Sequence, residues 1–140
     1  MLRYLRYKKR KSKNLPLVWD KASDIGQIVE KLTKGLGLDY INLNSIYCFR
    51  SKNSNARAYA RIWGLNRIWQ QAIHSEPKYI IEVLSEKFDS LKESEKEKVL
   101  IHELAHIPKN FSGSLIPHIR KLGSRNFNSK VRKLITQREK

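Results

Sequence analysis

Residues 91–108 read LKESEKEKVLIHELAHIP, and this stretch decides how the rest of the chain is read. Ser90 and Glu93 form the S-x-x-E pattern that satisfies the first free amides of a helix, with Ser94 and Glu97 an alternative start one turn later. Pro108 stops the helix, because a proline ring is not accommodated in a helix interior and the residue before it is pushed out of the α region. A helix over 91–107 therefore carries His102, Glu103 and His106 in the pattern HExxH. At 3.6 residues per turn, positions four apart differ by about 40° around the axis and about 6 Å along it, so both imidazoles can converge on one ion. Glu103 projects about 100° from His102, where a carboxylate can act as general base on a metal-bound water without being a ligand. With four His and nine Glu in 140 residues, chance supplies roughly 0.007 such patterns. Val99, Leu100 and Ile101 make the helix apolar on more than one side, and two His and a Glu in a buried helix are costly unless paired or metal-bound.

A catalytic zinc has three protein ligands and one open position, so a third ligand is needed. After His106 the chain has no Cys, Asp or Tyr, and the remaining side chains of ligand type are His118 and Glu139. Glu139 is the penultimate residue of a basic segment, whereas His118 follows Pro108 and the turn-forming Ser112-Gly113-Ser114, which lets the chain fold back towards the helix. His118 is the expected third ligand. His74, ahead of Ser75-Glu76-Pro77, reads as a surface loop residue.

Around this centre the patterns are those of one small α+β domain. Ile25, Ile28, Val29 and Leu32 put an apolar stripe on a helix from Asp20 to Gly35. Residues 41–49 and 57–63 are rich in Ile, Tyr, Phe and Trp and are separated by SKNSN, which predicts a hairpin. NRIWQQAI, 66–73, also suits a strand by its aromatic content, but reads better as a short helix capped by Asn66. KYIIEVL, 78–84, is the best strand in the chain, and Phe127, Val131, Leu134 and Ile135 predict a basic amphipathic helix over 127–138. The net charge of +16 is segregated: residues 1–13 and 120–140 hold +14 of it, leaving a nearly neutral domain over 14–119. Such basic segments attract polyanions, DNA or RNA among them. The lone Cys48 excludes an internal disulfide and reads as a small buried hydrophobe. Without an apolar signal region or a membrane-spanning run, the expectation is a soluble, intracellular, cytoplasmic protein.

HELAHIPKNFSGSLIPH, 102–118, together with ARIWGL, 60–65, and YIIEVL, 79–84, resembles the small metallopeptidases of archaea and phages, in the broad zincin group that includes the SprT-like and Spartan proteases. The resemblance implies a zincin-like α+β fold, with a small, mainly antiparallel sheet packed on the HExxH active-site helix. It implies Zn2+ held by His102, His106 and His118, Glu103 as catalytic base, and hydrolysis of peptide bonds in a protein or peptide substrate. It also implies a substrate lying along an edge strand, with residues 79–84 in that place. A metzincin would carry Gly and His where Lys109 and Ser112 stand, and a gluzincin would need Glu139 as ligand. One cysteine cannot build a zinc ribbon of the Spartan kind, so nucleic-acid targeting would fall to the basic segments. No Tyr follows His106 to stabilise an oxyanion, which leaves zinc, Lys109, Asn110 or Arg120 for that task. The alternative reading is a nucleic-acid-binding protein whose zinc site is structural or non-catalytic; an intact general base argues against it. A metal-dependent hydrolase of non-protein substrates is the other rival.

Overall fold

The structure is a computed structural model that describes residues 15–118 and 126–140. The basic segment 1–13 and the first part of the segment 120–140 lie outside the described residues. Chain order is β1 (Val18–Lys21), α1 (Ser23–Gly35), a 3₁₀ turn (Leu43–Ser45), β2 (Ile46–Lys52), β3 (Ala60–Gly64), α2 (Arg67–Ala72), β4 (Tyr79–Leu84), α3 (Ser85–Phe88), α4 (Glu93–Ala105) and α5 (Asn126–Glu139). The fold class is α+β, as expected.

The sheet is mixed, in the order β1-β2-β4-β3. β1 runs antiparallel to β2 and β3 antiparallel to β4, while β2 and β4 are parallel. The expected hairpin between 41–49 and 57–63 is therefore not formed: β4 lies between its two arms. Two physical reasons account for this. The connection 53–59 is long enough to step over one strand, since neighbouring strands lie only about 4.8 Å apart. YIIEVL is also the most apolar strand in the chain, and the middle of a sheet gains most from such a run. Tyr79, Ile81 and Val83 point to one face and are at most 1% exposed.

That face meets α1 and α4. Ile25, Val29 and Leu32 form the buried stripe of α1 and join Leu100, Ile101, Leu104 and the inward residues of β4 in one core. Cys48 packs against this core, and burial with the nearby Asp24 carboxylate pushes its thiol up to about 11. Asp20 and Lys21 belong to β1 rather than to the helix expected from Asp20. Asn66 caps α2 as expected, its side chain accepting from Trp69 N at 3.1 Å.

The start of α4 departs from the capping pattern. Lys92 occupies the cap position with no side-chain bond, and Ser90 Oγ donates instead to Lys87 O at 2.9 Å. α3 ends just upstream and offers that carbonyl, so the hydroxyl satisfies it rather than α4; Glu93 and Glu95 in the first turn complement the helix dipole instead. α5 packs along α4 with Phe127 and Leu134 buried. Among the described residues no helix is long and apolar enough to cross a membrane.

Candidate metal centre

The last turn of α4 presents His102 and Glu103, His106 caps its end, and the chain beyond Pro108 brings a third imidazole to them. One ring nitrogen from each of His102, His106 and His118 lies within 4.8 Å of the other two. His102 Nε2 and His118 Nε2 are 3.3 Å apart. His74 is exposed in the loop after α2, and Glu139, the other downstream candidate, pairs with Lys98 at 3.7 Å; neither belongs to the cluster.

What folds His118 back is a set of contacts on the segment 111–116. Tyr79 Oη donates to Ser114 O and accepts from Gly113 N, both at 2.8 Å. Gln70 Nε2 donates to Leu65 O at 2.7 Å and to Ser112 O at 2.9 Å. The backbone here has no room for side chains: a Cβ on Gly113 would sit 2.2 Å from Leu65 O, and one on Gly64 would sit 2.1 Å from Gly113 O. Gly113 also has φ +91°, a left-handed conformation that costs glycine least. So the end of β3, the start of α2 and the strand β4 clamp the loop that carries His118.

The clamp also orients His106. Ile116 N donates to His106 O at 2.7 Å, and Ile116 O accepts from His106 Nδ1. A carbonyl can only accept, so Nδ1 carries the proton and Nε2 keeps its lone pair for the centre. Burial, with His106 and His118 close by, lowers His102 to about 4. Burial likewise lowers His106, helped by His118 and Lys130 against the Ile116 carbonyl. These two imidazoles are neutral at physiological pH, the form that ligates metals. Glu103 is 8% exposed, and burial alone raises its carboxyl to about 7, where a general base works best.

Phe127 of α5 completes the surroundings. Its ring stacks on His106 at 4.2 Å between centroids and meets His102 and His118 edge-on at 5.1 and 4.6 Å. Lys130, one turn on, donates to Ala105 O at 2.9 Å and to Ile107 O at 3.3 Å, at the carbonyl end of α4. Sequence reading placed Phe127 on an apolar helix face but did not link it to the centre; periodicity shows that a face is buried and not against what.

The histidines and Glu103 open on a cleft of about 440 Å³ whose other walls include Ala58, Ala60 and Ile62 of the β3 side and Leu115 and Pro117 of the loop. Among the described residues the strand beside the centre with a free edge is therefore β3, not residues 79–84: β4 has both edges paired. Lys109 and Asn110 are exposed and do not line this cleft; Arg120 lies outside the described residues.

A family model described as "Putative phage metallopeptidase" matches residues 17–135. The chain belongs to the phage metallopeptidase family. No curated protein and no solved structure matches it. Membership of this metallopeptidase family together with the three-histidine cluster fits a metal-dependent peptidase, and the matched span takes in α4, the loop to His118 and most of α5.

Proposed function

We propose that the chain is a zinc-dependent peptidase of zincin-like build, in which His102, His106 and His118 hold the metal and Glu103 is the general base. The observation that carries this reading is the meeting of three imidazoles within 4.8 Å of one another beside a buried carboxyl of the same helix. The donor set fits zinc: three imidazoles, with no thiolate or carboxylate in the cluster, are the ligands of a site that keeps its fourth position open. Bound there, the ion would supply a Lewis acid that acidifies water and polarises a carbonyl.

The chain's own residues do the rest. The Ile116 carbonyl holds the His106 ring in the tautomer that leaves Nε2 free. Glu103, with burial unopposed, accepts the proton of the attacking water and delivers it to the leaving amine. An extended peptide fits along the free edge of β3 by main-chain pairing, which carries the scissile bond past the histidines. The apolar wall formed by Ala60, Ile62 and Leu115 favours small or aliphatic side chains next to that bond. A purely structural zinc site gives Glu103 no such task.

Residues 1–13 and 120–140 carry +14 of the net charge, and in this reading they bring the peptidase to nucleic acid or to proteins bound on it. Affinity should then fall steeply with salt, and removing residues 1–13 should flatten that dependence while leaving cleavage of a free peptide intact.

The experiment is digestion of an unfolded protein by the zinc-loaded chain and by Glu103→Gln. Wild type cleaves; the variant keeps its metal and loses nearly all cleavage. Cleavage by the variant within a few-fold of wild type removes Glu103 from the mechanism. Loss of its zinc would make it a ligand.

A further inference from the structure

The face of the sheet turned away from α1 and α4 carries a second constellation. By register, Trp19, Tyr47, Phe49, Trp63, Ile80 and Glu82 share it. Most of its large apolar side chains stay open to solvent: Trp19 is 55% exposed, Trp63 49% and Tyr47 44%. Several half-exposed aromatic rings on one contiguous surface are unusual unless something binds them.

The rings are held rather than loose. The carboxylate of Glu82, 1% exposed, accepts from Trp19 Nε1 at 3.3 Å, Trp63 Nε1 at 2.9 Å and Arg61 Nε at 2.8 Å. Glu82 thereby fixes both indoles as walls of a cleft of about 440 Å³ that Phe49 and Ile80 also line. With both indole N–H groups turned to Glu82, and Glu82 neutralised by Arg61, an occupant is gripped by ring faces and not by hydrogen bonds. The surrounding charges are positive. The Arg61 guanidinium sits 5.1 Å from the Trp63 ring and Lys78 Nζ 5.8 Å from that of Tyr47, while Lys21 pairs in register with Phe49 on the same face.

We propose that this face binds single-stranded nucleic acid, with bases stacking on Trp19, Trp63 and Tyr47 and phosphates meeting Lys21 and Lys78. Aromatic platforms interleaved with cations bind single strands because every base offers a π-face and every linkage a charge. A duplex fits less well, since its base faces are already stacked on one another. A second copy of this chain fits less well too, since it would set Lys21 and Lys78 against their own counterparts. With the indole N–H groups occupied, little sequence preference is expected. This surface is separate from the basic segments, and it does not rest on the peptidase reading.

The test titrates the full chain with oligothymidylate and oligouridylate of roughly 12 nucleotides, the upper part of the site size that such platforms cover. Tryptophan emission and oligonucleotide anisotropy are followed together. Single strands should quench the emission, and Trp19→Ala and Tyr47→Ala should each weaken binding about 5- to 100-fold. Trp19→Phe should keep most of the affinity, Lys78→Gln should lower the salt dependence, and Glu103→Gln should change nothing. Tyr47 and Lys78 are surface positions, so their variants stay informative if Trp19→Ala folds poorly. Binding that leaves the emission unchanged and is indifferent to Trp19→Ala and Tyr47→Ala would place the nucleic acid on the basic segments and overturn the proposal. So would equal binding of a duplex, or a dimer that Tyr47→Ala dissociates in the absence of any oligonucleotide binding.

Discussion

Glu82 and Glu103 are both shut away from solvent, at 1% and 8% exposed, and burial disfavours the charge of each. Glu82 nevertheless ends at about 2, because hydrogen bonds from Arg61 and Trp63 and the Arg61 charge outweigh its burial. Among the described residues Glu103 meets no such donors, and burial lifts it to about 7. One carboxylate is a fixed anion that organises the outer face of the sheet. The other, raised to about 7, can exchange a proton near neutrality, as the proposed base must. The difference teaches that partners, not depth, sort buried carboxyls into structural and chemical roles.

Exchanging each for its amide sharpens that comparison, and the largest effect belongs to Glu103. Glu103→Gln should reduce peptide hydrolysis on the order of 10²–10⁴-fold, with no loss of folding stability, since an unpaired buried carboxyl contributes none. Denaturant unfolding and single-substrate rates on the same samples check both halves. A Glu103→Gln chain that unfolds more easily would reveal a partner for Glu103 and break the contrast.

The loop that delivers His118 comes next. Tyr79→Phe removes the hydroxyl that ties Gly113 N and Ser114 O. Zinc affinity should fall about 10- to 100-fold, as when groups that orient ligands are lost. Competition with a chelator measures it, and an unchanged affinity would mean that the loop holds its place without Tyr79.

Glu82→Gln should lower stability by about 2 kcal/mol, because Trp19, Trp63 and Arg61 lose a charged acceptor. The sign with pH follows from the depressed carboxyl. Its stabilisation is fully present above the ordinary value of 4.5 and is lost as pH falls towards about 2. The gap between wild type and Glu82→Gln should therefore be constant near neutrality and close between about pH 4.5 and 2 in acid unfolding. A gap that persists at the acid end would assign the effect to packing.

Smallest is Phe127→Leu, which keeps an apolar side chain against His106 but removes the stacked ring. A loss below about 1.5 kcal/mol is expected, read by thermal unfolding with and without zinc. A loss several times larger would make α5 a determinant of the fold and not only a cover for the centre.

How much of this was legible in the sequence follows the range of the interactions. HELAH is local, so helix periodicity alone brings His102, Glu103 and His106 together. His118 could be reached because so few ligand-type residues follow His106, although the contacts that bring it back, from Tyr79, Gln70 and Gly64, come from distant parts of the chain. Strand order was not legible. Ile41 to Phe49 and Arg57 to Trp63 look like hairpin arms, and only the competition of YIIEVL for the central position separates them. The edge beside the centre moved from β4 to β3 for the same reason. β1 escaped notice because VWDK is short and exposed throughout. Ser90 and Glu93 matched a cap pattern, but the Lys87 carbonyl of the preceding turn took the hydroxyl. Glu82 gave no signal of its role, since cross-strand partners are invisible until register is known.

The central claim is that three histidines hold one metal, and zinc stoichiometry of the purified chain and of His118→Ala tests it most directly. About one zinc per wild-type chain is expected, with occupancy and affinity sharply reduced in the variant while far-UV circular dichroism stays native. Full occupancy at unchanged affinity in His118→Ala would contradict the account.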